Sequence, residues 1–399
     1  MMDLEQIKQL DQKYYMPVFG ERQPVCFTHG EGAKLYDTAG RQYTDFFAGI
    51  AVNALGYADA GFVKTVSEQA AKLVHTSSQF YNEPQATLAR ALCEKTGMGR
   101  VFFANSGAEA NECAVKLAKM RAFKRGKKTA HFVALKNSFH GRTLLTLTAT
   151  GQDKFHEPFE PGAYNWTYID ANDFEMAKNA INADTCAVIF EPVQGEGGVL
   201  PLSAEYMRHL ASLCKQHGAL LIADEIQTGM GRTGTFLAIE GAQVEADIVT
   251  LAKALGGGLP IGACLAKEET AAYFSPGDHG STFGGGLLAC AAANYVVGRM
   301  DGSMLARVRE LGQYLKDALC ALQDKLPSAI KEVRGAGLML GMELMEGGKA
   351  AQVRGQLFQK GFIVGTAGAN TLRLVPPYVI SKADVNALLD ALHKILMER

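Results

Sequence analysis

Two short apolar runs near the middle of the chain each stop at a charged residue. Ala219-Leu220-Leu221-Ile222-Ala223 ends at Asp224-Glu225. Asp247-Ile248-Val249-Thr250-Leu251-Ala252 ends at Lys253, just ahead of Gly256-Gly257-Gly258. Runs of this length without polar alternation are the pattern of strands in a parallel sheet covered on both faces. Similar runs occur at Val101–Ala104, Ala130–Leu135, Cys186–Phe190 and Ile261–Ala266. Between them lie helical stretches: Ala108 to Lys124, and Ser203 to His217 with Ser203 as N-cap and Gly218 as its stop. Strands alternating with helices predict a mostly parallel α/β sheet. Ligands bind beyond the carboxyl ends of such strands, so Asp224 and Lys253 are placed where chemistry is expected.

The flanks follow other patterns. Lys34 to Asp45 reads as a hairpin around a Gly-containing turn, and Gly49 to Gly56 as a buried apolar connection. Residues 59–75 and 84–97 carry helical periodicity, with Phe62, Val66 and Leu73 on one face and Leu88, Leu92 and Cys93 on another. A helix over Leu287–Met300 leads to an α+β pattern. It comprises helices at 305–325 and 349–360, strands at 338–344, 362–365 and 371–375, and a closing helix from Ser381. Three units are expected: an N-terminal segment (1–50), a large domain (51–290) and a C-terminal small domain (291–399).

Composition narrows the class without naming a chemistry. The 399 residues are 48% hydrophobic and 20% charged, ordinary for a globular protein. Forty basic residues balance 41 acidic ones, so nothing points to nucleic acid or an anionic membrane. No run approaches the roughly 20 apolar residues of a membrane span. The eight cysteines are scattered, with no CxxC and no metal-ligand spacing. Small core residues in a reducing, cytoplasmic setting are expected, not disulfides.

Candidate chemistry gathers at the strand ends. Asn105-Ser106-Gly107-Ala108 joins a strand to a helix N-terminus, which is either a plain N-cap or a site for a compact phosphate. A lysine desolvated in an apolar crevice has a lowered pKa and can attack a carbonyl to form a Schiff base. An aspartate is the partner that a pyridinium nitrogen requires, so Asp224 with Lys253 is the pattern of a pyridoxal phosphate site. A bare Asp–Lys salt bridge is the alternative. Gln227 could donate to the ring's 3-oxygen, and Phe139 could stack on the ring or belong to the core. Arg142 and Arg373 are candidate carboxylate clamps, since a guanidinium matches a carboxylate bidentately. Glu191 and Glu196 are either solvated loop carboxylates or hold an arginine in check.

Taken together, NSGAEANECAVKLAK, NSFHGRT, EPVQGEGGV, DEIQTGMGRTG, LAKALGGGLPIGA and GSTFGGG resemble the class III pyridoxal phosphate aminotransferases. GIAVNALG, NSFHGRT and LRLVPP are most similar to the acetylornithine branch. The resemblance runs from about Phe46 to Pro377. It implies fold type I, with a mostly parallel seven-stranded sheet and a small α+β domain to which residues 1–50 contribute. It assigns Lys253 to the cofactor carbonyl, Asp224 to the ring nitrogen, and Gln227 to the 3-oxygen. Ile226 and Phe139 would take the ring faces, and Gly107 and Ala108 the phosphate. Ser281 and Thr282 would come from the second subunit of a homodimer, Thr282 onto the phosphate. The implied substrates are acetylornithine, 2-oxoglutarate and glutamate, with Arg142 holding the acetylornithine carboxylate and Arg373 the glutamate α-carboxylate. Glu196 would pair with Arg373 in the first half-reaction, and Glu191 would lie with these substrate groups. Ornithine, succinylornithine or 4-aminobutyrate aminotransferases are alternatives, and a non-catalytic cofactor-binding protein is a remote one. Gly284-Gly285-Gly286, Tyr57 to Ala60, and Gly365 to Gly368 depart from the usual family pattern and bear on specificity.

Overall fold

The computed structural model describes residues 2–20, 22–127, 130–345, 347 and 349–398. Seven strands form the central sheet: β1 (Arg100–Ala104), β2 (His131–Leu135), β3 (Asn165–Ile169), β4 (Thr185–Phe190), β5 (Leu220–Asp224), β6 (Ile248–Leu251) and β7 (Gly262–Ala266). Their spatial order is β1-β7-β6-β5-β4-β2-β3. Only β7 runs against the rest; the pairs among β6, β5, β4, β2 and β3 are parallel.

The continuous apolar runs are explained by burial on both faces. Successive side chains of a strand point to opposite sides. Leu221 and Ala223 join Val188, Phe190 and Val249 in one core, with Tyr206 and Leu210 of helix Ala204–His217. Leu220 and Ile222 join Ile189 and Ile248 in the other, with Ala114, Leu117 and Ala118 of helix α1 (Gly107–Lys124). The expected helix caps are present: Ser203 Oγ accepts from Tyr206 N, and Gly218 is left-handed at φ +67°.

Both chain ends build the second unit. Strands Phe27–Glu31, Lys34–Asp37 and Gln42–Asp45 form a sheet whose fourth member, Phe362–Ile363, comes from the other end of the chain. A separate antiparallel sheet holds Ile330–Ala336, Met339–Leu344, Thr371–Leu374 and Gly365–Ala367. The boundary expected after residue 290 falls inside helix Leu287–Arg299, which packs on helices Ala60–Lys72 and Glu83–Thr96.

Several local features differ from expectation. The Gly49–Gly56 connection opens with a left-handed turn, with positive φ from Ala48 to Ala51, and leaves Ile50 41% exposed. Strands β3 and Ile330–Ala336 have no counterpart among the expected ones. Helix Ala60–Lys72 buries none of its residues, and Leu73 beyond it is exposed. Among the described residues no disulfide joins any of the eight cysteines, five of which are buried. Among the described residues no helix is long and apolar enough to cross a membrane.

Arg232 ties the two units together beside the site. Its side chain is fully buried and Nη1 donates to the carbonyls of Leu338 (3.1 Å) and Pro376 (2.5 Å), while the guanidinium lies 4.5 Å from the Tyr378 ring centroid. The loop after Asp224 is thereby fixed to the strand region that carries Arg373.

Candidate active site

Asp224 ends β5 and pairs in register with Thr250 of the neighbouring parallel strand, so Lys253 follows one short step beyond. Asp224 is buried, and its carboxylate is held from three directions. Oδ2 accepts from Asn111 Nδ2 and from His140 Nδ1, both at 2.8 Å, and Oδ1 accepts from Ile226 N at 3.1 Å. Asn111 is itself locked: its Nδ2 also donates to His140 O (2.8 Å) and its Oδ1 accepts from Thr250 Oγ1 (2.8 Å). The His140 amide donates to Thr150 Oγ1 at 2.9 Å, and His140 Nε2 is buried without a hydrogen-bond partner among the described residues. A buried carboxyl group oriented by three donors is fixed in place and keeps capacity for one more donor.

Lys253 adopts φ +47°, a left-handed conformation costly for a residue with a Cβ and frequent at functional sites. Burial pushes its ammonium below the usual lysine range; Glu196 opposes this and Arg373 reinforces it. Lys253 and Asp224 share a cleft of about 440 Å³ with Gly107, Ala108, Phe139, Ile226 and Gln227.

One end of that cleft is the start of α1. Ser106 caps the helix, accepting from Glu109 N at 3.2 Å. Gly107 and Ala108 belong to the first turn, whose N–H groups have no intrahelical acceptor and attract an anion. A Cβ on Gly107 would lie 2.7 Å from Ile226 Cδ1, so the glycine keeps the space between turn and loop open. First-turn amides, a buried carboxylate, flanking Phe139 and Ile226, and a desolvated lysine together fit a flat, phosphorylated ring with a basic nitrogen.

The two arginines sit differently. Arg373 is 3% exposed; its Nη1 donates to Glu196 Oε1 (2.5 Å), Gly195 O (3.1 Å) and Gln227 Oε1 (3.3 Å). Burial would raise the Glu196 carboxyl, but Arg373 outweighs it and holds Glu196 below its ordinary value. Arg142 is exposed at the cleft mouth and joins an adjoining outer pocket of about 430 Å³ that also reaches Glu196. Glu191 is not solvated, and among the described residues it pairs with no arginine. It is buried, accepts from Phe139 N (2.8 Å) and Gly195 N (3.2 Å), and burial pushes its carboxyl up to about 7. It therefore shapes the two loops that carry Phe139 and Glu196.

Ser281 and Thr282 lie outside the cleft that holds Lys253. They border a separate depression with His75, Ser77 and Ser78, although Ser281 Oγ accepts from Asn105 Nδ2 at 3.2 Å. His140 and Asn111 belong to the site without a motif of their own in the sequence. His140 stands between two recognised residues, Phe139 and Arg142. Asn111 lies one turn beyond Gly107 on the apolar face of α1, where an amide needs a polar reason to be.

Comparison with known proteins agrees with this geometry. Residues 15–396 match the family described as aminotransferase class-III. The acetylornithine aminotransferase of Caldanaerobacter subterraneus subsp. tengcongensis is 43% identical over 392 residues, covering 97% of this chain and 98% of the relative. An ornithine aminotransferase structure from Toxoplasma gondii superposes with a TM-score of 0.94 at 30% identity, over 100% of this chain and 96% of that one. The N-acetylornithine aminotransferase structure from Stenotrophomonas maltophilia gives 0.84 at 36% identity, covering 98% of each chain. With this fold, and with the match spanning almost the whole chain, the protein belongs to the class III aminotransferases, pyridoxal phosphate-dependent enzymes of fold type I.

Proposed function

We propose that the protein transfers the δ-amine of N2-acetylornithine to 2-oxoglutarate, giving N-acetylglutamate 5-semialdehyde and glutamate. The observation that carries this reading is the contrast between its two arginines. One is open at the cleft mouth, and the other is masked by a carboxylate deep inside. The names of the Caldanaerobacter and Stenotrophomonas relatives support the same substrate.

Bound in the cleft, pyridoxal phosphate supplies a carbonyl for the amine and a ring that accepts electrons from the adjoining carbon. Asp224, fixed by Asn111 and His140, would keep a proton on the ring nitrogen. The amides of Gly107 and Ala108 would hold the phosphate, with Thr282 of the partner subunit as a further ligand. Gln227 would meet the 3-oxygen, and Ile226 and Phe139 the two ring faces. Lys253, with its basicity lowered by burial, would take the proton from the donor's amine-bearing carbon and deliver it across the cofactor, as base and then acid.

The arginines would then select the amine that reacts. Acetylornithine presents its terminal amine, so its carboxylate lies several bonds away, within the province of Arg142. Glutamate presents its α-amine, so its α-carboxylate lies close in and needs Arg373. Glu196 would mask Arg373 in the first half-reaction and leave it in the second. Exposed Val74, Phe80, Tyr81 and Phe283 near the Ser281 depression support a homodimer that covers this face. Arg142→Ala tests the division of labour. It should raise the half-saturation for N2-acetylornithine far more than for 2-oxoglutarate, and an equal rise for both would sink it.

A further inference from the structure

The two arginines are held by opposite physical means. Arg373 is neutralised by Glu196. Arg142 makes no ion pair or hydrogen bond among the described residues. Its guanidinium instead lies 4.0 Å from the Phe155 ring centroid, with Phe139 farther off at 5.6 Å. An aromatic face attracts a cation without consuming its in-plane N–H donors, so the guanidinium edge stays available for a carboxylate. An ion pair would have to be broken first.

Phe155 is itself fixed to the unit that carries Arg142. It closes the short turn Asp153–Phe155. On one side Gln152 Nε2 donates to Ser138 O at 2.9 Å. On the other, His156 Nε2 lies 2.6 Å from Thr150 O and 3.1 Å from Leu147 O; two carbonyl partners require that this nitrogen carries the proton. The ring is thus clamped to the loop and helix spanning residues 138–150. Lys154 Nζ lies 4.8 Å from the same ring centroid, so the outer pocket presents two cations that no carboxylate neutralises among the described residues.

We propose that Phe155 is a positioning residue for the amine donor's distal carboxylate. It holds the Arg142 guanidinium at the outer pocket while leaving its donor edge free. This rests on the reading of Arg142 as the holder of that carboxylate. Phe139 cannot take over the task, being farther from Arg142 and facing the cofactor cleft as well.

The test uses the cofactor-loaded enzyme and N2-acetylnorvaline, which has the acetylornithine skeleton without the reactive δ-amine. Calorimetry should show about tenfold weaker binding by Phe155→Leu, and near wild-type binding by Phe155→Tyr, which restores the aromatic face. In half-reactions, Phe155→Leu should raise the half-saturation for N2-acetylornithine by a similar factor, with its limiting rate and both glutamate parameters held. A general packing defect would instead depress both substrates together, and that result overturns the proposal. Equal binding of N2-acetylnorvaline by wild type and Phe155→Leu, with Arg142→Ala weakened, also overturns it. Equal binding by all three overturns the Arg142 reading and the proposal with it.

Discussion

Replacing Glu196 with Gln removes the charge that masks Arg373 and keeps the side chain's shape. Arg373 retains Gly195 O at 3.1 Å and Gln227 Oε1 at 3.3 Å, so the guanidinium stays in place. The Coulomb attraction of such a pair is about 4 kcal/mol at an effective dielectric near 20. Desolvation of the nearly buried arginine offsets much of it, leaving the roughly 1.5–3 kcal/mol of a charge-assisted hydrogen bond. On the proposed function, glutamate displaces that bond to seat its α-carboxylate. Without it, the half-saturation for glutamate should fall about ten- to a hundredfold, while that for N2-acetylornithine, assigned to Arg142 in the proposed function, should stay within about twofold. Unmasked Arg373 should also capture the α-carboxylate of free ornithine and present the wrong amine. The assay is single-turnover decay of the enzyme's visible absorbance with each donor, together with product analysis that separates α- from δ-amine transfer. An unchanged or raised half-saturation for glutamate would refute the masking argument, as would ornithine still reacting only through its δ-amine.

Other consequences follow from single residues. Gly107→Ala puts a Cβ 2.7 Å from Ile226 Cδ1; it should weaken cofactor retention on dialysis at least tenfold with the thermal midpoint of the apoprotein little changed. Asn111→Ala strips one donor from Asp224 and leaves Thr250 Oγ1 unpaired in a fully buried place. It should cost roughly 1–3 kcal/mol in denaturant unfolding and slow the half-reaction. Glu225 is buried with its carboxyl pushed up to about 7 from an ordinary 4.5. The folded state thus keeps a proton that the unfolded chain releases near 4.5, and stability falls as pH rises from there to about 7. The total is roughly 3 kcal/mol. Glu225→Gln should flatten that part of the pH–stability curve, and an unaltered slope would count against the assignment.

Much of the site could be read from the order of residue types, because parallel strands buried on both faces leave their first polar residue at the ligand end. Asp224 and Lys253 stand out for that reason, and Ser203 and Gly218 mark a helix by cap chemistry alone. What escaped reading depends on contacts distant in sequence. Nothing local distinguishes His140 from a core histidine until Asp224, 84 residues away, is brought within 2.8 Å. Glu191 looks like a loop carboxylate because one of the two amides it accepts from, Phe139 N, lies 52 residues away in sequence. Phe155 sits among Asp153, Lys154 and His156 and shows no apolar periodicity. Strand Ile330–Ala336 was hidden by Lys331, Glu332 and Arg334; Arg334 is buried by pairing with Glu343 on the adjacent strand. Edge strand β3 is short and only half-buried, so it lacks the unbroken apolar run of its neighbours.

The account turns on which amine the loaded enzyme accepts. Rapid mixing with N2-acetylornithine, ornithine, N2-succinylornithine and 4-aminobutyrate, each without an acceptor, reads this directly from loss of the visible absorbance. The arrangement of an open Arg142 and a masked Arg373 predicts the highest ratio of rate to half-saturation for N2-acetylornithine, with the colour restored by 2-oxoglutarate. A higher ratio for ornithine or 4-aminobutyrate would contradict it, and no bleaching by any of the four would contradict the aminotransfer itself.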